Sequence, residues 1–430
     1  MLDRLMRTAE QAEVFEIESE ATTIGFEANR LKSFEVAESR GTAARVIVEG
    51  RLGFAASSDM SATDRLLANA LESARLGEQV PLHFPGPHAG TNVRVYDGEL
   101  ASLPAQRLMD MGREMIATIV AADPEAHVNL GLARRTRSTH LSNSAGAKVT
   151  LERAPLSIDI VVERVSGDDV LVIFDYFSTA VWNDDYRSAA DRIAHYLRLA
   201  QRQASLNSGR MPVLFAPGGV PALVLPLTVG LNGKNVYRGI SPIAQRLGEE
   251  ILDDKLTLTD DPTLDGRPGS GSYDDEGVPR RRRALIERGV LRGFVYDLKT
   301  AAQAGAEPTG NGERGLFSPP SPDFSNLVLE SGGTPLSEMI AGIAEGLYVQ
   351  SPLGLGQGNI ISGAFSNNLS LAFKIEHGEI VGRVKDASVA GNVYQDLRRV
   401  AAISREAEWV YGGMRLPYVL LPELNVVTEN

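Results

Sequence analysis

Three consecutive carboxylates, Asp274, Asp275 and Glu276, precede Gly277, a residue that can adopt a positive φ. Carboxylate oxygens at such a turn can ligate a hard cation or accept hydrogen bonds from nearby backbone amides. We favour the second role, capping, and the cation remains the alternative. A third hypothesis is a hydrolase whose carboxylate site would be Asp274 to Glu276.

The other residue types that perform catalysis are absent or dispersed. The chain has no cysteine, which excludes disulfides, thiolate nucleophiles and cysteine-ligated zinc. It lacks a His-Glu-x-x-His segment, a Walker loop and a Gly-x-Ser-x-Gly elbow. We therefore predict neither a catalytic residue nor a metal ligand in this chain. Its six histidines share no helix face: His83, His88, His127, His140, His195 and His377.

Two glycine-rich segments, Gly356 to Gly363 and Pro308 to Gly312, leave backbone donors and acceptors free. An extended peptide could pair with them as an added strand, or the glycines could simply permit tight turns. Both interpretations stay open. The candidate peptide-binding residues are Asp275, Glu276, Gly277, Thr309, Gly310, Asn311, Gly356, Gln357 and Gly358.

Local patterns around the acids predict the elements that hold them. The arginines from Arg280 to Arg283 are expected on a strand, reaching solvent or the nearby acids. Ala284 to Ile286, the turn Glu287-Arg288-Gly289 and the segment Val290 to Tyr296 predict a hairpin. A helix from about Asp297 to Ala304 should end at Gly305.

Residues 1–207 are predicted to form an N-terminal α+β domain with a mixed or antiparallel sheet. Between Glu13 and Asp59 we expect about three antiparallel strands, with VFEIES and TIGFEA as separate segments. Helices should begin after the caps Ser61 and Ser102. The second of these helices carries a buried stripe of Leu108, Met111, Met115 and Ile119.

Residues 208–430 are predicted to form a second, β-rich domain with flanking helices. Leu369 to Glu376 alternates apolar and polar residues, which predicts a strand with one buried face. Two further strands are expected, at Met211 to Ala216 and at Tyr418 to Leu421, and a turn at His377-Gly378. Helices should start at Ser241-Pro242, at Thr334-Pro335 and after Asn392. Leu247 and Ile251 would dock the first of these helices.

Composition narrows the classes of function. A net charge of -12 and a pI near 5.2 argue against direct nucleic-acid binding, because phosphate contacts need a basic surface. The first residues carry acids from Asp3 onward and lack an apolar signal core. The longest apolar run, Val220 to Leu231, is too short for a membrane span. We expect a cytoplasmic protein without membrane contact.

An ordered set of motifs resembles the TldD/PmbA family, peptidase family U62, also described as modulators of DNA gyrase. The motifs are YDDEGVPRRRRALIERGVL from Tyr273, PTGNGERG from Pro308, GLGQGNIISGAFSNNLSLAFKIEHGEI from Gly354, VAGN from Val389 and VLLPEL from Val419. The resemblance implies an N-terminal α+β domain and a barrel-like C-terminal domain, assembled as homodimers or heterodimers around a cavity.

The family that the chain resembles has two branches. TldD-type subunits carry a His-Glu-x-x-x-His segment and a late cysteine that form a zinc site. The corresponding positions here, Pro221 to Gly233 and about Tyr411 to Met414, contain no histidine, acid or cysteine. The chain therefore resembles the PmbA (TldE) branch, whose zinc is expected only in a TldD-type partner.

The resemblance implies a subunit of a TldD-type metalloprotease system that acts in peptide proteolysis and maturation. This chain would contribute peptide binding and part of the enclosing chamber, with a TldD-type protease and a peptide as partners. The alternative is a non-proteolytic homodimer that binds a peptide or protein, in the manner of a gyrase modulator.

Overall fold

The computed structural model describes residues 1–357 and 359–428. It shows a mixed α+β fold dominated by β-sheet, with a closed five-stranded barrel in the C-terminal region. This confirms the predicted fold class. Among the described residues, no helix is both long and apolar enough to cross a lipid bilayer.

The N-terminal half of the described chain forms one seven-stranded antiparallel sheet from β1 (Gln11–Glu27), β2 (Arg30–Val48), β3 (Arg51–Ser57), β4 (His127–Asn143), β5 (Lys148–Arg153), β6 (Leu156–Ser166) and β7 (Asp169–Thr179). The strand order is β3-β2-β1-β4-β6-β7, and β5 also pairs with β4. The predicted antiparallel sheet is therefore confirmed.

The prediction that VFEIES and TIGFEA are separate strands is wrong, because β1 runs through both. The polar link between them stays extended because its partner β2 continues beside it. Ser19 lies opposite Ser39, and the two hydroxyl oxygens are 2.8 Å apart. The exposed first part of β2, from Arg30 to Arg40, has no buried face and so gave no strand pattern in the sequence.

The helices of this half are α1 (Leu2–Leu5), α2 (Thr63–Arg75), α3 (Gly98–Ala101), α4 (Ala105–Ala122) and α5 (Arg187–Leu199). The predicted apolar stripe of α4 is buried as expected. The predicted caps are wrong, because both serines bond elsewhere. The Ser61 hydroxyl donates to Asp59 Oδ1, and the Ser102 hydroxyl donates to Gly98 O, so Ala62 and Pro104 precede the helices instead.

The C-terminal half is built around a barrel of β8 (Gly209–Phe215), β15 (Glu345–Pro352), β16 (Ala364–Glu376), β18 (Ala387–Asn392) and β20 (Met414–Thr428). These strands pair in the order β20-β18-β16-β15-β8, and β20 pairs again with β8. That last pairing closes the barrel and confirms the expectation of a barrel-like domain.

Shorter elements surround the barrel. The strands are β9 (Leu258–Asp260), β10 (Arg283–Glu287), β11 (Val290–Leu291), β12 (Gly312–Glu313), β13 (Ser321–Pro322), β14 (Leu327–Leu329), β17 (Glu379–Arg383) and β19 (Ala402–Val410). The helices are α6 (Pro221–Leu231), α7 (Gly233–Tyr237), α8 (Leu298–Ala304), α9 (Leu336–Ala341) and α10 (Val393–Asp396), with a 3₁₀ turn at Ile360–Ser362.

Most local predictions for this half are confirmed, including the hairpin β10–β11, the helices α8, α9 and α10, and the turn at His377-Gly378. The helix predicted at Ser241-Pro242 is wrong. The Ser241 hydroxyl donates to Gly230 O, and the segment continues as turns. Leu247, expected to dock that helix, is exposed, whereas Ile251 is buried.

One apolar core joins the two halves. It contains Ile160 and Leu197 from the N-terminal half and Tyr348, Leu371 and Phe373 from the barrel. A second core fills the C-terminal half alone. The predicted domain boundary at residue 207 falls between α5 and β8, and the division of the chain into two domains there stays a prediction.

Gly305 offers a test of the ending of α8. It adopts the left-handed conformation at φ 63°, and a Cβ there would meet nothing within 4 Å. Gly305→Ala should therefore lower the free energy of unfolding by about 1 kcal/mol through backbone strain alone. Urea unfolding measures this. Gly333→Ala, equally open but without a positive φ, is the control and should have a smaller effect.

Candidate functional site

The acidic turn Asp274–Gly277 lies between the two halves and holds backbone amides in place. Asp274 Oδ1 accepts from the amides of Glu276 and Val278, each at 2.9 Å. Asp274 Oδ2 accepts from the Gly312 amide at 2.9 Å, which ties the turn to the loop before β12. The capping interpretation is therefore confirmed.

Glu276 connects this turn to both halves of the protein. Its Oε2 accepts from the Leu298 amide at the start of α8, at 2.7 Å. Its Oε1 accepts from Arg45 Nη1 on β2, at 2.5 Å. Both side chains are buried, so this ion pair is shielded from water.

Arg45 and Glu276 belong to a longer chain of buried charges. Arg45 donates from Nε and Nη2 to the two carboxylate oxygens of Glu13 on β1, at 2.9 and 2.8 Å. Arg314, which follows β12, donates from Nη1 to Glu13 Oε1 at 2.7 Å. All four side chains are buried. We call Arg314, Glu13, Arg45 and Glu276 the buried ion chain.

Asp275 sits beside the buried ion chain. Its Oδ2 accepts from the Arg314 amide at 3.1 Å, and its own amide donates to Gly312 O at 2.9 Å. Arg280 is also buried, and it pairs with Glu313 and donates to Tyr273 O. This agrees with the prediction that the arginine run reaches acids, while Arg281 and Arg282 reach solvent. The prediction that the run lies on a strand is wrong except for Arg283, the first residue of β10.

The loop Pro308–Gly312 belongs to the same buried region. The Thr309 hydroxyl bridges the Tyr296 backbone, accepting from its amide at 2.7 Å and donating to its carbonyl at 2.9 Å. Asn311 Nδ2 donates to Asp260 Oδ2 at 2.8 Å. Gly310 has φ 77°, and a Cβ there would lie 2.7 Å from Pro279 O. A side chain at this position would collide with the backbone of Pro279 and Arg280.

The structure therefore brings together most of the residues predicted to bind peptide: Asp275, Glu276, Gly277, Thr309, Gly310 and Asn311. It leaves Gly356 and Gln357 apart from them, exposed on the connection between β15 and β16. Gly358 lies outside the described residues. Peptide binding by this set stays a prediction. The carboxylates of the turn are occupied by backbone amides and guanidinium groups, which does not favour the hydrolase hypothesis.

Burial and neighbouring charges set the protonation of the site. Burial raises the pKa of Glu276 to about 8, against the attraction of Arg45, and the nearby Asp297 and Asp274 raise it further. Burial raises the pKa of Asp274 to about 6. Burial also acts to raise the pKa of Glu13, but Arg314 and Arg45 together hold it below its ordinary value.

Sequence analysis missed three residues of the ion chain, Glu13, Arg45 and Arg314. Their partners are distant in sequence, so no spacing motif could reveal them. A weak signal existed for Arg45, because it interrupts the apolar run Ala43 to Val48, where a charged side chain must find a buried partner.

The helix α6 occupies most of the segment Pro221 to Gly233, which the family resemblance sets against the zinc motif of TldD-type subunits. It is largely buried and carries Pro226 in its interior. Residues 221–233 offer no imidazole or carboxylate. Among the described residues, no group of three or more His, Cys, Asp or Glu side chains could hold a metal ion. These described residues therefore do not supply the donor set that a protein zinc site requires.

Family comparisons agree with this architecture. Residues 208–428 match the PmbA/TldA metallopeptidase C-terminal domain, and residues 12–74 match PmbA/TldA metallopeptidase domain 1. The chain belongs to the TldD/PmbA family.

Individual relatives show two levels of similarity. TldE from Thermococcus kodakarensis is 26% identical, with a TM-score of 0.91 over 99% of this chain and 98% of that one. Metalloprotease TldD homologs from Buchnera aphidicola and Haemophilus influenzae are each 32% identical, over 51% and 50% of this chain and 47% of their own length. The chain thus spans about half the length of the curated relatives it matches.

The buried ion chain predicts a large stability loss when one charge is removed. Glu13→Gln leaves Arg45 and Arg314 buried without their shared carboxylate, and should lower the free energy of unfolding by about 3 to 5 kcal/mol. Glu72→Gln, in the exposed pair with Arg75, is the control and should change it by less than about 1 kcal/mol. Equal effects in urea unfolding would contradict the account.

The raised pKa of Glu276 predicts a pH dependence. Its ordinary value is 4.5 and its folded value about 8, so between these values the folded state binds more protons than the unfolded state. The stabilisation is fully present below pH 4.5 and is lost as the pH rises through about 8. Between pH 5 and 8, wild-type stability should therefore fall more steeply than that of Glu276→Gln. Parallel curves from urea unfolding would refute this assignment.

Proposed function

We propose that the chain is a PmbA/TldE-like subunit of a TldD-type metalloprotease system acting in peptide proteolysis and maturation. It contributes peptide binding and part of the enclosing chamber, and it lacks a zinc site of its own. The zinc belongs to a TldD-type partner, and the complex is cytoplasmic. The observation that carries the proposal is the apolar helix α6, which offers no metal donor.

Chemistry supports assigning hydrolysis to the partner. A metalloprotease activates water on zinc, and the metal must be held by imidazole, thiolate or carboxylate donors that converge on one point. Apart from Thr228, Gly230 and the prolines Pro221 and Pro226, the residues of α6 have aliphatic side chains, and most are buried against the barrel core. Repacking a single residue could not supply a ligand set there.

The extent of the similarity supports the TldE-like branch. The likeness to TldE runs along nearly the whole of both chains, whereas the similarity to TldD homologs covers about half of each. The region that this chain shares with TldD homologs would supply a common fold to both subunits of a pair. Peptide hydrolysis would then be confined to the TldD-type subunit.

Peptide binding is supported by backbone that is free to pair. Among the described strands, the segment Arg30 to Gly41 of β2 pairs with β1 alone, because β3 ends at Ser57, opposite Thr42. This edge can accept an extended segment as an additional strand. Leu31, Phe34 and Val36 on the same edge are exposed and could contact side chains of the added strand.

Affinity purification of the tagged chain from its native cell tests the proposal. We expect a TldD-type protease as the main partner. We also expect an unstructured peptide to be cleaved by the mixture but not by this chain alone, and a chelator to stop the cleavage. A homodimer that recovers no such protease would favour the non-proteolytic alternative. Chelator-sensitive cleavage by the isolated chain would overturn the proposal.

A further inference from the structure

A cleft of about 640 Å³ lies across the strands of the N-terminal sheet, at the side of the acidic turn. Its walls come from β1, β2, β4 and β5, with Tyr96 from the loop before α3. The volume falls within the range of about 300 to 1,000 Å³ that is typical of small-ligand sites. It is large enough for a few residues of a peptide.

Strand register determines which side chains share a face beside the cleft. Ser39 on β2 lies opposite Ser19 on β1, Ser19 lies opposite Arg137 on β4, and Arg137 lies opposite Arg153 on β5. Directly paired residues of an antiparallel sheet point to the same face, so these four form one transverse row. We call it the Ser-Arg row.

The Ser-Arg row lies on the face that meets the C-terminal half. Ile17 lies two residues before Ser19 on β1, and Leu151 lies two residues before Arg153 on β5, so both point to the face of the row. They pack with Tyr273 and Leu316. The acids that also border the cleft alternate to the opposite face because side chains of a strand alternate. These acids are Glu18, Glu20, Glu38 and Glu152. The two charged side chains of the Ser-Arg row, Arg137 and Arg153, are therefore both cationic.

The two arginines have incomplete partners. Arg137 Nη2 lies 3.8 Å from Asp275, too far for a hydrogen bond, and Asp275 Oδ2 already accepts from the Arg314 amide. Among the described residues, Nη2 of Arg137 and Nη2 of Arg153 are buried without a hydrogen-bond partner. Burial lowers the pKa of both guanidinium groups, and Asp275 opposes this only in part.

We propose that the Ser-Arg row binds a peptide carboxylate, either the C-terminal group or an acidic side chain, between Arg137 and Arg153. Guanidinium groups bind carboxylates through parallel N–H donors, and burial strengthens such charge-assisted bonds. The hydroxyls of Ser19 and Ser39, 2.8 Å apart, hydrogen-bond to each other and leave one hydroxyl proton to donate at the other end of the row. The identity of the ligand as a peptide rests on the proposed function, whereas the preference for an anion does not.

Calorimetric titration of the purified full chain tests this inference with three N-acetylated peptides of one neutral sequence: a free C-terminal acid, its C-terminal amide, and the amide with one internal Asp. We expect the free acid, the Asp peptide or both to bind roughly tenfold or more tightly than the plain amide. The comparison of the first and third peptides identifies the source of the carboxylate. Equal binding of all three would overturn the inference and leave peptide binding intact.

Variants then locate the site. Arg153→Met and the partly exposed Arg137→Gln should each remove the preference for the carboxylate, while retaining the thermal unfolding transition of the folded chain. Arg65→Met, whose side chain is 72% exposed on α2, is the control and should bind as the wild type does. Unchanged preference in both folded variants would overturn the assignment to the Ser-Arg row.

A minimal anion separates this inference from the proposed function. If no peptide binds, N-acetylglycine alone should still raise the Tm of the wild type, and should do so less in Arg137→Gln. That result would support the anion site at the Ser-Arg row and would contradict the proposal that this chain binds peptides. No rise in Tm by N-acetylglycine, together with no peptide binding, would overturn both.

Discussion

The structure depends on the buried ion chain, whose four ionisable side chains cross from one half of the protein to the other. Arg314 and Arg45 share the carboxylate of Glu13, and Arg45 also holds Glu276. Removing charges from water is costly, and close partners with complete hydrogen bonds are needed to offset that cost. The contacts within the buried ion chain form only when the N-terminal sheet and the acidic turn lie in one relative position.

This constraint explains why the densest cluster of acids is structural. Asp274 and Glu276 hold the amides of Gly312 and Leu298, so they fix the loop before β12 and the start of α8. Asp275 lies at the margin of that arrangement, close to the two incompletely paired arginines of the Ser-Arg row. Among the described residues, unused hydrogen-bonding capacity remains in the interior, at Nε and Nη2 of Arg314, and beside the cleft, at Nη2 of Arg137 and of Arg153.

Local patterns predicted local structure. Asp297 caps α8 and Gly305 ends it, β10 and β11 form the expected hairpin, and the alternation around Leu369 marks β16, because neighbouring residues decide these features. Prediction from local patterns failed where residues distant in sequence determine the local structure. The exposed half of β2 follows β1 despite its polar sequence, and Ser241 bonds Gly230 instead of starting a helix.

Long-range pairing also limited prediction of the candidate site. The sequence identified Asp274 to Glu276 and the loop at Thr309 to Asn311, and the structure brings them together. The partners Glu13 and Arg45 come from strands more than two hundred residues away in the chain, as the separation of 231 between Arg45 and Glu276 shows. Barrel closure was expected from the family resemblance, since no single strand encodes the pairing of β20 with β8.

The central claim is that the chain retains the family architecture without the donors for a hydrolytic metal. Its most direct test is the metal content of the chain purified without a partner, incubated with zinc, exchanged into metal-free buffer and measured by plasma mass spectrometry. The account predicts far less than one zinc ion per chain and an unfolding temperature that a chelator does not change. One tightly held zinc ion per chain, whose removal lowers that temperature, would contradict it.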